Sequence, residues 1–184
     1  MTANNRVLLA YATRHGATAG VAEGIAGALR PLGLVVEVHP AAEVGDLTPN
    51  GAVILGSPVY MGKWLPEALR FLKRHREGLR GLPVAFFTVG MMLRDKPEAG
   101  QREHEDAIRR ARQAVPEVEP LATGMFVGAL DKRKLALPLR WLMTLMRDEE
   151  GDFRDAEAMR QWAEVLSDKF LVGVDRVDSS GSNS

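Results

Sequence analysis

Apolar residues follow two different periods along this chain. Short runs dense in Val, Ile, Leu and Phe occupy residues 7–12, 34–38, 52–56 and 84–89, and a weaker run covers 123–127. Three of them are almost uninterrupted, which predicts strands buried on both faces of a parallel sheet. Between the runs the period changes to that of a helix. Val21, Ile25, Leu29 and Leu32 share one face of a helix predicted over 17–32, and Gly33 supplies its stop. Leu65, Leu69 and Leu72 line a second helix over 65–76, with Pro66 in its first turn. The stretch 98–115 is charged enough to predict a half-exposed helix. Met159, Trp162, Ala163 and Leu166 mark the buried face of a last one over 156–170. Strands alternating with helices predict an α/β doubly wound domain, and right-handed crossovers place the helices on both faces of its sheet.

Composition narrows the class. The 184 residues are 46% hydrophobic, enough for one domain with a sizeable core. Lys and Arg total 24, as do Asp and Glu, so the formal net charge is zero. That excludes a broadly basic nucleic-acid binder and a strongly acidic electron shuttle. The absence of Cys excludes disulfides, thiolate metal sites and cysteine nucleophiles, and fits a reducing cytoplasm. The opening residues carry no long apolar stretch of a secretory signal. No run of about 18 apolar residues predicts a membrane-spanning helix. The end, from Ser179 to Ser184, contains only Ser, Gly and Asn, which predicts a loose tail. His39, His75 and His104 lack partners at ligand spacing, so surface or structural roles are expected and no metal site.

In an open parallel sheet, ligands bind beyond the carboxyl ends of the strands. Three loops there carry chemistry. Thr13-Arg14-His15-Gly16-Ala17-Thr18 follows the first strand and leads into a helix. Hydroxyls, outward amides and a helix N-terminus make an anion site, with Arg14 adding charge. The alternative is a turn capped by Thr13 and Thr18 with no ligand. The loop 56–64 after the third strand reads Gly-Ser-Pro-Val-Tyr-Met-Gly-Lys-Trp. Its aromatics and glycines suit a flat conjugated ring; alternatively Tyr60 and Trp64 pack on the next helix, the favoured reading for Trp64. Thr88-Val89-Gly90-Met91-Met92 forms a third loop. No Gly-x-Gly-x-x-Gly or Gly-Lys-Ser/Thr follows a strand, so nicotinamide-dinucleotide and nucleotide-triphosphatase sites are not supported. Acidic residues for a divalent cation are also missing after strands one and three.

Together the three loops resemble the flavodoxin superfamily, whose first loop reads Thr-x-Thr-Gly-x-Thr. Thr13, Gly16 and Thr18 match, and His15 replaces the middle Thr. The Thr-Arg-x-Gly-x-Thr form of the loop, an extra segment over 128–151 and the ending Gly151-Asp152-Phe153-Arg154-Asp155 before a Trp162-bearing helix are similar to the menaquinone-dependent, flavodoxin-like protoporphyrinogen oxidases. The resemblance implies a flavodoxin-like, five-stranded parallel sheet in the order 2-1-3-4-5. It implies an FMN-binding domain over 1–172, with a flexible tail over 173–184. Thr13, Arg14, His15, Gly16, Ala17 and Thr18 would hold the FMN phosphate. Pro58, Val59, Tyr60, Met61 and Gly62 would border one side of the isoalloxazine ring, and Thr88, Val89 and Gly90 the other. Gly62 would supply a freely turning peptide near the flavin N5. Met91 and Met92 stand where electron-carrier flavodoxins often have an aromatic, leaving one ring face more open.

The function implied is an FMN-dependent oxidoreductase, protoporphyrinogen oxidase-like, with a porphyrinogen substrate and a quinone acceptor; the alternative is a non-enzymatic electron-transfer module serving a partner reductase. No catalytic base, metal or nucleic-acid partner is assigned. The segment 130–146 is basic at its start (Lys132, Arg133, Lys134) and broadly apolar beyond, with Trp141. It is expected to make peripheral contact with the inner face of the cell membrane or with a greasy substrate; a homodimer contact or packing on the sheet is the alternative.

Overall fold

The computed structural model describes residues 4–130, 151–152 and 155–177. β1 (Arg6–Tyr11) pairs in parallel with β2 (Val35–Pro40) on one side and β3 (Ala52–Tyr60) on the other. β4 (Lys63–Trp64) is a short antiparallel return of β3. β5 (Val84–Val89) and β6 (Ala122–Phe126) then extend the sheet. The parallel strands lie in the order β2-β1-β3-β5-β6, which is the 2-1-3-4-5 order expected. β7 (Ala129–Leu130) and β8 (Gly151–Asp152) form a small antiparallel pair on either side of 131–150. The expected surface contact at 130–146 and the loose end at 179–184 fall almost wholly outside the described residues.

The alternation of strand side chains decides what covers each face. Leu8, Ala10, Val53, Leu55, Val84 and Phe86 point to one side. There they meet Phe71, Leu72 and Leu79 of α2 (Pro66–Leu79) and Ala107, Ile108 and Ala111 of α4 (Pro97–Ala114). Val7, Leu9, Ala52, Ile54, Ala85 and Phe87 point to the other. They meet Val21, Ile25 and Leu29 of α1 (Ala17–Leu29) and Met159, Ala163, Leu166 and Phe170 of α5 (Ala156–Val177). A four-residue turn, α3 (Met92–Asp95), precedes α4. Among the described residues no helix is long and apolar enough to cross a membrane.

Three boundaries differ from expectation. α1 stops at Leu29 and a 3-10 turn, Arg30–Leu32, carries the chain to Gly33 at φ 88°. Pro31 has no N–H to continue the α-helical ladder, so Leu32 leaves the buried stripe and is exposed. α5 runs to Val177, past 170 and past the expected domain limit at 172. The third difference bears on function: residues 56–60, expected as loop, continue β3. The chain reverses in a two-residue hairpin at Met61 and Gly62, with φ of 51° and 67°. Positive φ at both central positions matches the right-handed twist of the flanking strands. Gly62 adopts it freely, whereas Met61 does so against its Cβ.

Large side chains on β5 are accommodated by glycine on its neighbours. Gly56 pairs with Phe87, and a Cβ there would lie 1.9 Å from the Phe87 ring. Phe87 cannot yield, because it is fully buried and edge-packed against Phe126 and Trp162 at 6.2 and 6.3 Å. Gly56→Ala is therefore expected to destabilise the fold by about 1–3 kcal/mol, the usual range for overpacking. Urea unfolding of parent and variant checks this; equal midpoints would mean that the ring has room to move.

Candidate functional site

All three expected loops emerge at the carboxyl edge of the sheet. The first begins after Ala12, whose N–H donates to Gly56 O at 2.9 Å and so ties the end of β1 to β3. Thr13 and Arg14 are exposed and His15 is half-buried. The Thr13 hydroxyl accepts the Gly16 N–H at 3.0 Å, closing a tight loop. Gly16 sits at φ 85° and starts α1 with no side-chain cap. The first-turn amides of Ala17, Thr18 and Ala19 have no acceptor within the helix, as at any helix start. Thr18 is fully buried, and its Oγ1 has no hydrogen-bond partner. A simple capped turn would have engaged that hydroxyl. Amides, a positive dipole end and an uncompensated hydroxyl together form a cradle suited to an anion.

The second loop is the hairpin. Pro58 is buried, Val59 half-buried, Tyr60 42% exposed and Met61 92% exposed at the tip. The buried Ser57 hydroxyl accepts the Leu65 N–H at 3.0 Å and donates to Pro58 O at 3.0 Å, pinning the start of α2 to β3. Trp64 is buried in the core and packs edge-on against Phe86 of β5 at 5.1 Å. The Arg14 guanidinium lies 5.3 Å from the centre of the Tyr60 ring, a cation–π contact that joins the first loop to the second. Partial burial raises the Tyr60 pKa, with Arg14 acting the other way, so the phenol stays protonated at neutral pH. Gly62 does not offer the freely turning peptide expected of it. Its N–H donates to Glu103 Oε1 at 2.9 Å, and its carbonyl accepts from Arg110 Nη1 at 3.0 Å.

The third loop is placed only in part as expected. Thr88 belongs to β5 and points the same way as Phe86, beneath α4, so its side chain is turned from the ligand edge. Its hydroxyl lies 2.5 Å from His104 Nδ1. Val89 is buried on the opposite face, and Gly90 donates its N–H to Phe126 O at 3.0 Å. Met91 is half-buried and Met92 exposed. Gly128, just beyond β6, closes over the first loop. A Cβ there would lie 2.9 Å from Val89 and 3.1 Å from Ala17. The start of α1 and the end of β5 thus meet at one glycine.

Four residues were missed as parts of this region. Gly128 was read only as the edge of the extra segment. Glu103, His104 and Arg110 all fall in the charged stretch 98–115, whose sequence predicts only a half-exposed helix. Their only sequence signal is the seven-residue spacing of Glu103 and Arg110 on one helix stripe. His104 sits within α4 rather than near its end, and is fully buried. Its Nε2 has no partner, and burial lowers its pKa to about 4.

The architecture defines a doubly wound α/β protein whose three candidate loops gather at the carboxyl edge of the sheet. A flavodoxin-domain family model matches residues 8–157, and the chain belongs to that family. Flavodoxins are FMN-binding flavoproteins. The protoporphyrinogen IX dehydrogenase [quinone] of Escherichia coli K12 is 30% identical over 168 residues, covering 88% of this chain and 91% of that protein. A flavodoxin from Streptococcus pneumoniae TIGR4 superposes with a TM-score of 0.55 at 19% identity, over 89% of this chain and 99% of its own. Flavodoxin 2 from Bacillus cereus gives 0.56 at 20% identity, over 89% and 99%. These two likenesses establish the fold.

The buried His104 generates a pH dependence. Its folded pKa of about 4 lies below the unfolded value of 6.5. As pH falls from 6.5 towards 4, the unfolded chain takes up a proton that the folded chain refuses. Stability present above pH 6.5 is therefore lost progressively, by roughly 3 kcal/mol in all, and the loss levels off below about 4. In His104→Gln this component should vanish. Urea unfolding at pH 7 and pH 4.5 on both proteins tests it; parallel losses would show that His104 is not the group responsible.

Proposed function

We propose that this chain is an FMN-dependent oxidoreductase that takes electrons from an apolar, flat-ring substrate of the porphyrinogen class and passes them to a quinone. The observation that carries it is the buried, partnerless Thr18 hydroxyl in the uncapped first turn of α1, at the carboxyl edge of the sheet. A buried hydroxyl without a partner costs about 1–3 kcal/mol, which a phosphate oxygen would offset. Thr13, Thr18 and the amides of Ala17 and Ala19 would hold the phosphate, and Arg14 would balance its charge. Gly16, at φ 85°, lets the chain turn into α1 there. Tyr60 and the hairpin would border one side of the ring, and the Val89–Gly90 backbone the other. The Thr88 side chain takes no part, being engaged beneath α4.

FMN, when bound, supplies the two-electron chemistry, accepting a hydride equivalent from one partner and yielding the electrons to the next. The protein's own contribution is to bind, orient and shield. Met91 and Met92 at the third loop give that side of the slot flexible, apolar walls, which suit a greasy substrate. The net charge of zero also favours this assignment over a shuttle that docks on partners by charge. The identity of the E. coli relative supports the substrate and acceptor classes. The basic and apolar sequence of 130–146 would bring the protein to a membrane-dissolved acceptor.

The visible spectrum of the purified protein tests the flavin, and turnover of a porphyrinogen with a quinone tests the chemistry. A flavin spectrum without turnover would leave the electron-transfer module standing instead. Within the cradle, replacing Thr13 and Thr18 together by Ala removes two hydrogen bonds to a charged group. FMN titration of the apoprotein should show affinity lowered by at least about tenfold. Unchanged affinity in the double variant would overturn the assignment of the phosphate loop.

A further inference from the structure

α4 reaches both the hairpin turn and the end of β5. Glu103 and Arg110 are seven residues apart, about two helical turns, and so project from one stripe of the helix. Between them they engage both backbone polar groups of Gly62. One residue along from Glu103, the His104 ring contacts Thr88 at the end of β5 and presses on Gly90. A Cβ at Gly90 would lie 2.4 Å from its Nε2.

The two bonds to Gly62 act on different peptide planes. Its N–H belongs to the 61–62 peptide and its carbonyl to the 62–63 peptide. In a trans peptide the N–H and C=O point in opposite directions. With the Gly62 N–H aimed at Glu103, the Met61 carbonyl is directed away from Glu103. Turning over either peptide would break a hydrogen bond to an ionised side chain, a stronger kind than a neutral pair. Gly62 carries no side chain to brace the turn, and Met61 holds a positive φ that its Cβ opposes. The turn therefore depends on contacts from outside itself, and α4 provides them.

We propose that Glu103 and Arg110 are positioning residues that hold the Met61–Gly62 turn in one conformation before any ligand arrives, preorganising one border of the ring slot. This rests on the FMN reading above for its ligand, though not for the clamp itself. A turn already ordered loses less freedom on binding. It also withholds the Gly62 N–H from the ligand, so polar contact with the ring edge at this turn falls to the backbone of its neighbours.

The test compares parent, Glu103→Ala, Glu103→Gln and Arg110→Ala in two measurements. Amide exchange by NMR on the apoprotein reads the clamp without flavin. The Gly62 amide should exchange at least about tenfold faster in Glu103→Ala. It should return close to the parent rate in Glu103→Gln, whose side-chain carbonyl still accepts. The Phe86 amide in the sheet core should not change, which separates release of the turn from general loss of stability. FMN titration reads the consequence: both Ala variants should bind at least about fivefold more weakly, with Glu103→Gln near the parent. Unchanged Gly62 exchange in Glu103→Ala would overturn the clamp whatever the flavin does. Faster exchange with parental FMN affinity would overturn the positioning role. Failure of the parent itself to bind FMN would overturn the functional reading and the positioning role with it, while the exchange result would still decide the clamp.

Discussion

Every residue of β5 is buried, and the strand's strict alternation sends successive residues to opposite helix layers. Phe86 and Thr88 face α4, while Phe87 and Val89 face the α1 and α5 side. With both faces so committed, the strand can meet a ligand only with the backbone at its carboxyl end. The same commitment shapes its neighbours. Phe87 takes the space that a side chain at Gly56 would need, and Trp162 and Phe126 take the space beside Gly124. These aromatics form one edge-packed cluster, with ring centres 5.5–6.3 Å apart. Bulk on one strand and glycine on those flanking it keep the sheet close-packed. That rigidity lets three separate loops end at a common edge.

Much of this was legible in the sequence because period and burial agree. Continuous apolar runs marked strands covered on both faces, and stripes marked the helices that cover them. The strand order followed from a family resemblance carried by Thr13, Gly16 and Thr18, residues whose backbone and hydroxyl roles are local. The misreadings arose where a long-range contact overrides a local signal. Residues 56–60 look like loop because Gly56 and Pro58 are poor strand formers, yet both sit in register with β5. Thr88 was within reach of simple counting: two residues beyond Phe86, it had to share that residue's face. Glu103 and Arg110 were not, since a charged helix stripe reads the same whether water or a hairpin turn lies opposite it.

Polar groups in this protein divide by what surrounds them. The ion pairs of α5, such as Arg160 with Glu157 and Glu164, are half-exposed, and pairs of that kind contribute about 0–1 kcal/mol each. The contacts of Ser57, Thr88 and His104 are buried, where loss of one partner strands the other. All three lie near the carboxyl edge. Ser57 ties the start of α2 to β3, and the Thr88–His104 contact ties the end of β5 to α4. These buried contacts therefore sit where backbone geometry must be held, at the carboxyl ends of β3 and β5.

This distribution bears on what the slot admits. Its polar side gathers the Thr13–Gly16 turn, the unpartnered Thr18 hydroxyl and the start of α1, with Gly128 fitted against Ala17. Its other side is apolar and exposed, with Met61 standing clear of the hairpin tip and Met92 beyond β5. A protein that only exchanged electrons with charged partners would gain more from a fixed charge at that edge than from flexible thioethers. Methionine adapts to a flat, apolar surface and imposes little shape of its own. On the proposed reading, such a rim would suit a small organic partner that approaches the flavin ring itself. The turn that carries Met61 is held at Gly62 by α4, so the flexibility is confined to the side chain and the backbone beneath it stays in place.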